Sequence, residues 1–227
     1  MPKCGIVVVA AGVGSRMGSS VPKPFVLLGG KPILAHTLAH LNKSSIFEEK
    51  ILVVAKENLS FIKKELLSQH GLSSWEVVAG GERRQDSVEK GLNALSPSCD
   101  LVFVHDGARP FVSQRLLQAL SEKGMSGISC IAAIPAKDTL KKVAGIRIEK
   151  TVPREEFWLA QTPQVFKTEV LKKAYRQAGG RSMTDEASLV ESMGETVEVI
   201  LGSPQNIKIT TQEDLILAEA ILKNWEE

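Results

Sequence analysis

The chain is poor in cysteine: Cys4, Cys99 and Cys130 are the only three in 227 residues. An odd number, far apart and without CxxC spacing, offers neither a disulfide framework nor a zinc site, and fits a reducing compartment. Net charge is nearly absent, since 28 Lys and Arg stand against 26 Asp and Glu, leaving +2. No global field is available to hold nucleic acid or an anionic membrane, so an anionic ligand must meet a local cluster. The longest apolar run, Ile6 to Ala11, is shorter than the ~18–20 residues that span a bilayer and the ~7–15 of a signal-peptide core. A cytoplasmic location is expected. No linker, low-complexity tract or internal repeat interrupts the sequence, and residues 1–227 are expected to form one domain.

What is present is an ordinary globular balance, 43% hydrophobic and 24% charged, enough to build a core without staples. Short β-branched runs alternate with amphipathic stretches. Ile6–Val9, Ile51–Val54, Val77–Val78, Leu101–Val104 and Ile131–Ile134 read as strands, several continuously apolar as in strands covered on both faces. Lys31–Leu41, Asn58–His70, Gln85–Leu95 and Ser113–Lys123 read as helices. This alternation predicts an α/β fold with a doubly wound, mostly parallel sheet, which binds ligands at the carboxyl ends of its strands. From Lys137 the pattern changes. Two alternating segments around Ala144-Gly145 predict a β-hairpin, an arm at about 137–156 too small to stand alone. Helices over Val170–Gln177 and Asp185–Met193, strands over Val197–Leu201 and Ile207–Ile209, and a helix over Gln212–Trp225 complete the expectation.

The chemistry is expected just after the strands. The first runs into Ala10-Ala11-Gly12-Val13-Gly14-Ser15-Arg16-Met17-Gly18, with Pro22-Lys23 beyond. Glycines there let backbone N–H groups approach phosphate oxygens. The Gly-Lys-Ser/Thr ending of a Walker A loop is missing, and Met17 replaces the third glycine of a dinucleotide fingerprint. Instead Arg16 and Lys23 supply two cations for one polyphosphate. Gly80-Gly81 follows the third strand, and Ser87 opens the next helix; exposed Arg83 and Arg84 in a simple loop are the plainer reading. Asp106 ends the most apolar strand, where its carboxylate serves either as a Mg²⁺ ligand or in an Asx turn before Gly107. Arg109 can pair with it and orient the loop. Thr139, Arg154, Thr162, Thr184 and Lys208 suit a phosphomonoester and a polyol, though Thr184 before Asp185-Glu186 also suits a helix N-cap. His36 and His40 lie four apart without a third metal ligand and read as helix-packing residues. No Ser-His-Asp triad or nucleophilic cysteine is evident.

The N-terminal loop resembles that of nucleotidyltransferases joining a sugar or polyol phosphate to a nucleotide. Further stretches make the chain similar to the 2-C-methyl-D-erythritol 4-phosphate cytidylyltransferase family: Gly80 to Val88, His105-Asp106-Gly107-Ala108-Arg109-Pro110, Arg154 through Trp158 to Gln164, Thr184 to Ser188, and Asn206 to Thr210. The resemblance runs from Ile6 to Leu217. It implies a Rossmann-like nucleotidyltransferase fold with a protruding β-arm, and CTP held by Ala10, Ala11, Gly12, Gly14, Gly80, Gly81, Arg84, Ser87 and Ala108. Arg16, Lys23, Arg154 and Lys208 are implied to be catalytic. Asp106, Arg109, Thr139, Thr162 and Thr184 are implied to meet the substrates, with Mg²⁺ on Asp106. A homodimer through the arm is expected, with Arg154 carried into the neighbour's site. Three positions depart from the family's habit: Glu82 where aspartate is common, Gly107 where alanine is common, and Gln205 where an acid is common.

The implied reaction is attack of an acceptor phosphate on the α-phosphorus of CTP, with pyrophosphate leaving. No general base is needed, because the acceptor is already anionic. Two rival readings remain: a cytidylyltransferase for another polyol phosphate such as ribitol 5-phosphate, and a non-catalytic nucleotide-binding regulator. A dinucleotide oxidoreductase is disfavoured by the broken fingerprint.

Overall fold

The structure is a computed structural model, and it describes residues 2–12, 25–181 and 183–225. Among these, seven strands form the central sheet. In spatial order they are β11 (Val197–Leu201), β7 (Ser129–Pro135), β10 (Trp158–Lys167), β6 (Leu101–Asp106), β1 (Cys4–Ala10), β4 (Phe47–Val54) and β5 (Glu76–Ala79). All neighbouring pairs are parallel except those of β10, which runs antiparallel to both β6 and β7. The chain passes from β1 to β4 and β5 on one side, then returns to β6 on the other. The crevice where strand order reverses therefore opens between β1 and β6, the usual binding edge of such a sheet.

The side-chain period of two divides the core between the faces. Ile6 and Val8 of β1 pack with helix α1 (Ile33–Asn42), the helical run containing α2 (Leu59–Phe61) and α3 (Leu67–Gln69), and α5 (Gln114–Met125). Val7 and Val9 face α4 (Arg84–Ala94), α6 (Thr168–Ala178) and α7 (Glu186–Glu191). A third cluster joins the last helix, α8 (Gln212–Lys223), to Leu28 and Ile33, beside the short strands β2 (Leu27–Leu28) and β3 (Lys31–Pro32). Phe103, Phe111 and Phe166 are fully buried, each stabilising the fold by roughly 1.5–3 kcal/mol.

The sheet and its flanking helices follow the expectation, and five details do not. Lys31 and Pro32, expected in the first helix, form β3 and leave α1 to start at Ile33. Strand β10 is unforeseen, because Gln161-Thr162-Pro163-Gln164 breaks its apolar pattern. Its pairing with β7 skips from Ala160 to Gln164, so the proline lies where no ladder hydrogen bond is required. Ile207–Ile209 is not a strand; Ile209 instead donates one backbone bond to the Ala108 carbonyl. The expected helix Asn58–His70 is a mixture, a 3-10 turn at Lys56–Asn58, α2, a π turn at Ile62–Leu66 and α3. The arm's turn is Gly145-Ile146 rather than Ala144-Gly145, since β8 (Leu140–Ala144) pairs Ala144 with Arg147 of β9 (Arg147–Val152). Gly145 takes φ +59 there, a left-handed conformation that suits glycine.

Candidate active site

A cavity of about 270 Å³ lies at the carboxyl ends of β1, β5 and β6, lined by Ala10, Ala11, Gly12, Gly81, Arg84, Ser87, Asp106, Ala108 and Lys208 among others. Close packing dictates glycine beside it. A Cβ on Gly80 would lie 2.5 Å from the Ala11 Cβ and 2.8 Å from Ser87 Oγ, and one on Gly81 would lie 2.4 Å from the Asp86 Cβ. Ser87 is buried and accepts the Gly81 N–H at 3.0 Å, tying the loop to α4. That helix starts at Arg84, three residues before the serine expected to open it, because Asp86 in its first turn accepts the Arg83 backbone N–H at 3.0 Å.

Asp106 is the electrostatic centre. Its Oδ1 accepts from Arg84 Nε at 3.0 Å, its Oδ2 lies 2.8 Å from Lys208 Nζ, and Arg109 Nε is 3.7 Å from Oδ2. Burial alone would raise its pKa; Arg84, Lys208 and Arg109 outweigh that and hold the carboxyl well below the usual carboxylate range. No side chain closes an Asx turn; the turn is made by the Arg109 N–H on the Asp106 carbonyl. Arg84 reaches on to the buried Glu186, whose two oxygens lie 2.8 and 2.9 Å from Nη1. Three cations thus face two carboxylates around a cavity, an arrangement that favours an anionic ligand.

A hydrogen-bonded frame fixes the loop carrying Asp106. The Asp106 N–H donates to Thr162 Oγ1 at 3.0 Å, and Thr162 Oγ1 is 3.0 Å from His105 Nδ1. His105 Nε2 lies 3.1 Å from the Arg109 carbonyl. With the hydroxyl donating to Nδ1, the imidazole must carry its proton on Nε2 and donate it to Arg109. Burial holds the His105 pKa down at about 4, so the ring is neutral at physiological pH. Arg109 Nη1 in turn donates to the Asn206 carbonyl at 2.7 Å, which places the Asn206–Thr210 stretch, and hence Lys208, against the cavity.

The structure gathers many of the expected site residues at one place: Ala10, Ala11, Gly12, Gly81, Arg84, Ser87 and Ala108, expected at the nucleotide, line the cavity together with Asp106 and with Lys208, expected at the acceptor phosphate, and Gly80, Arg109 and Thr162 adjoin it. Gly14, Arg16 and Lys23 lie outside the described residues. Thr139 and Arg154 sit at the root of the arm, both exposed, with Arg154 Nη1 donating to the Lys137 carbonyl at 2.6 Å. Thr184 is exposed and is not the helix cap; Asp185 is, accepting from the Ser188 N–H at 3.0 Å. His36 and His40 each bond a backbone carbonyl, of Leu28 and Pro110, as helix-packing residues. Glu186, His105 and Tyr175 were not singled out from sequence. A buried polar role cannot be read from residue type; only the Thr184–Ser188 and His105–Pro110 stretches pointed to their neighbourhood.

Among the described residues no group of three or more His, Cys, Asp or Glu side chains could hold a metal by itself. Magnesium often takes one or two carboxylates and completes its shell with water and substrate phosphates. Asp106 fits that mode as a carboxylate on the cavity wall, with Oδ2 held by the partly exposed Lys208 ammonium.

Residues 4–224 match the family model described as 2-C-methyl-D-erythritol 4-phosphate cytidylyltransferase. A protein of that name from Alkaliphilus metalliredigens is 44% identical over 97% of this chain and 93% of its own length. Another from Syntrophus aciditrophicus is 43% identical over 99% and 98%. The crystal structure of 4-diphosphocytidyl-2C-methyl-D-erythritol synthase from Anaerococcus prevotii superposes with TM-score 0.87 at 32% identity, covering 98% of this chain and 96% of that one.

Proposed function

The chain belongs to the 2-C-methyl-D-erythritol 4-phosphate cytidylyltransferase family, and on that premise we propose how its cavity carries out cytidylyl transfer. The reaction joins CTP and 2-C-methyl-D-erythritol 4-phosphate into 4-diphosphocytidyl-2-C-methyl-D-erythritol and pyrophosphate, a step of isoprenoid-precursor synthesis. The observation that carries the reading is the cation-ringed Asp106 at the crevice between β1 and β6.

The glycines at 80 and 81 admit the nucleoside to the backbone, and Ser87 holds their loop. Arg84 offers its guanidinium to the nucleotide from a position fixed by Asp106 and Glu186. Lys208, partly exposed on Asp106 Oδ2, turns toward the incoming acceptor phosphate, a stronger partner with more charge. That oxygen attacks the α-phosphorus of CTP, the new P–O bond forms as the bond to pyrophosphate breaks, and Arg16 and Lys23 stabilise the charge that leaves. Asp106 is the residue that would hold a magnesium ion, whose chemistry when bound is to neutralise the triphosphate oxygens. No proton need be removed from the acceptor.

The arm completes the proposal. Val143 and Ile148 are more than half exposed and Ile146 is fully exposed, on a two-stranded sheet that cannot cover them itself. A second copy of the chain covers them in a two-fold dimer, and Arg154 and Thr139 then serve the acceptor site of the neighbour. The chain acts as one domain in the cytoplasm, in keeping with its few, unpaired cysteines. The test is pyrophosphate release from CTP with a panel of polyol phosphates. Turnover confined to 2-C-methyl-D-erythritol 4-phosphate is expected, and preference for ribitol 5-phosphate would overturn the assignment.

A further inference from the structure

Glu186 is 1% exposed, and a carboxylate buried so completely is costly unless something compensates it. Burial raises its pKa and Arg84 opposes that rise. The compensation is built from several elements. Tyr175 of α6 lies with its hydroxyl 3.2 Å from Glu186 Oε1, donating to it, while Arg84 of α4 binds both oxygens. The residues on either side are pinned by Gln164 of β10, itself 1% exposed. Its amide donates to Asp185 Oδ2 at 2.8 Å and accepts the Ala187 N–H at 3.1 Å. Gln85, next to Arg84, accepts the Met183 N–H at 3.2 Å. Glu186 is also the first residue of α7, where the helix end favours negative charge.

All of this converges on one guanidinium. With Nη1 on Glu186 and Nε on Asp106, Arg84 is held from two sides, and no acceptor among the described residues takes Nη2. We propose that Glu186 and Tyr175 are positioning residues that aim Arg84 at the nucleotide triphosphate. The proposal rests on the cytidylyl-transfer reading. Without the Glu186 charge, Arg84 is free to turn both forks onto Asp106, which takes the carboxylate away from Lys208 and the guanidinium away from the ligand. A purely structural bridge between α4 and α7 needs no such termination at the cavity, since an apolar contact of similar volume serves as well.

Tyr175 is the sole tyrosine in the chain, so protein labelled with [ζ-13C]tyrosine gives a single NMR resonance beside Glu186. In the wild type, CTP should shift that resonance; in Glu186→Gln the shift should vanish. Glu186→Gln should raise KM for CTP by roughly 10–100-fold, the worth of a lost charge-assisted hydrogen bond, with KM for the acceptor changed less than about twofold. Glu186→Asp, which keeps the charge, should recover part of that loss. Tyr175→Phe, which retains the ring and the packing, should raise KM for CTP several-fold, and it decides the matter if Glu186→Gln does not fold. An unchanged KM for CTP in Tyr175→Phe, together with a tyrosine resonance indifferent to CTP in the wild type, would overturn the proposal. A wild type that releases no pyrophosphate yet shifts its tyrosine on binding CTP would overturn the transfer reading and leave the positioning pair standing.

Discussion

His105 shows how one residue sets the pH behaviour of the loop. Its folded pKa of about 4 lies below the ordinary 6.5, chiefly because burial disfavours the charged ring. On acidification the unfolded chain takes the proton first. The stability this ring contributes is therefore full above pH 6.5 and is lost as pH falls toward 4, by about 3 kcal/mol. Melting temperature measured across that window should fall in the wild type and fall less in His105→Asn, the difference isolating this ring from His36 and His70, whose pKa values burial also lowers. Asp106 acts in a lower window. Its depressed pKa contributes stability above the ordinary carboxylate value that is lost on further acidification. Asp106→Asn should accordingly weaken CTP turnover and also destabilise the fold by about 3 kcal/mol, because Arg84, Lys208 and Arg109 lose their common counter-charge. Lys208→Ala relieves rather than creates uncompensated charge. It should leave the melting temperature nearly unchanged and reduce kcat at least a hundredfold in a steady-state assay.

At the scale of elements, the site is an encounter of strand ends and helix starts. The carboxyl end of β1 touches the loop after β5 at Ala11 and Gly80, closely enough that a methyl group on Gly80 has no room. Gly80→Ala should therefore push the two ends apart, cost about 1–3 kcal/mol in denaturant unfolding and weaken CTP binding by calorimetry. Normal affinity in that variant would remove the close approach from the binding account. Strand β10 contributes in a different way. By interrupting its ladder at Gln161–Pro163 it turns Thr162 to the Asp106 N–H, and its Gln164 reaches the start of α7. One irregular strand thereby braces both halves of the charge cluster.

At the scale of the whole molecule, the arm separates Arg154 from the cavity, and the exposed apolar face from any cover of its own. If a second subunit supplies both, Arg154→Ala and Lys23→Ala should each be nearly inactive, and mixing them with subunit exchange should restore activity. With half the dimers mixed and one of two sites whole, roughly a quarter of wild-type turnover returns. No recovery, with exchange confirmed by mass, would place Arg154 in the site of its own subunit. Ile148→Glu should release monomers in sedimentation experiments, since a charge on that face opposes burial.

Much of this was legible in one dimension. Short continuous β-branched runs such as Ile6–Val9 read as strands covered on both faces, and their alternation with helical patterns pointed to the doubly wound sheet. The binding edge followed too, because Gly12 and Gly80 come just after strand ends and Asp106 closes one. Other features had no local signature. Antiparallel β10 was hidden by its polar bulge, whose irregularity is stabilised by partners far along the chain. The Asn206–Thr210 stretch has strand-like composition, yet its position is decided by Arg109 and Ala108. Arg84 and Arg83 are adjacent and chemically identical, and only folding separates them: Arg83 pairs with Asp86 at the exposed helix start, and Arg84 is drawn inward by Glu186, 102 residues away. Residue pattern determines which segments must be buried. Which buried charges meet is decided by the sheet, because the low dielectric of the interior rewards only pairs that the tertiary structure brings into contact.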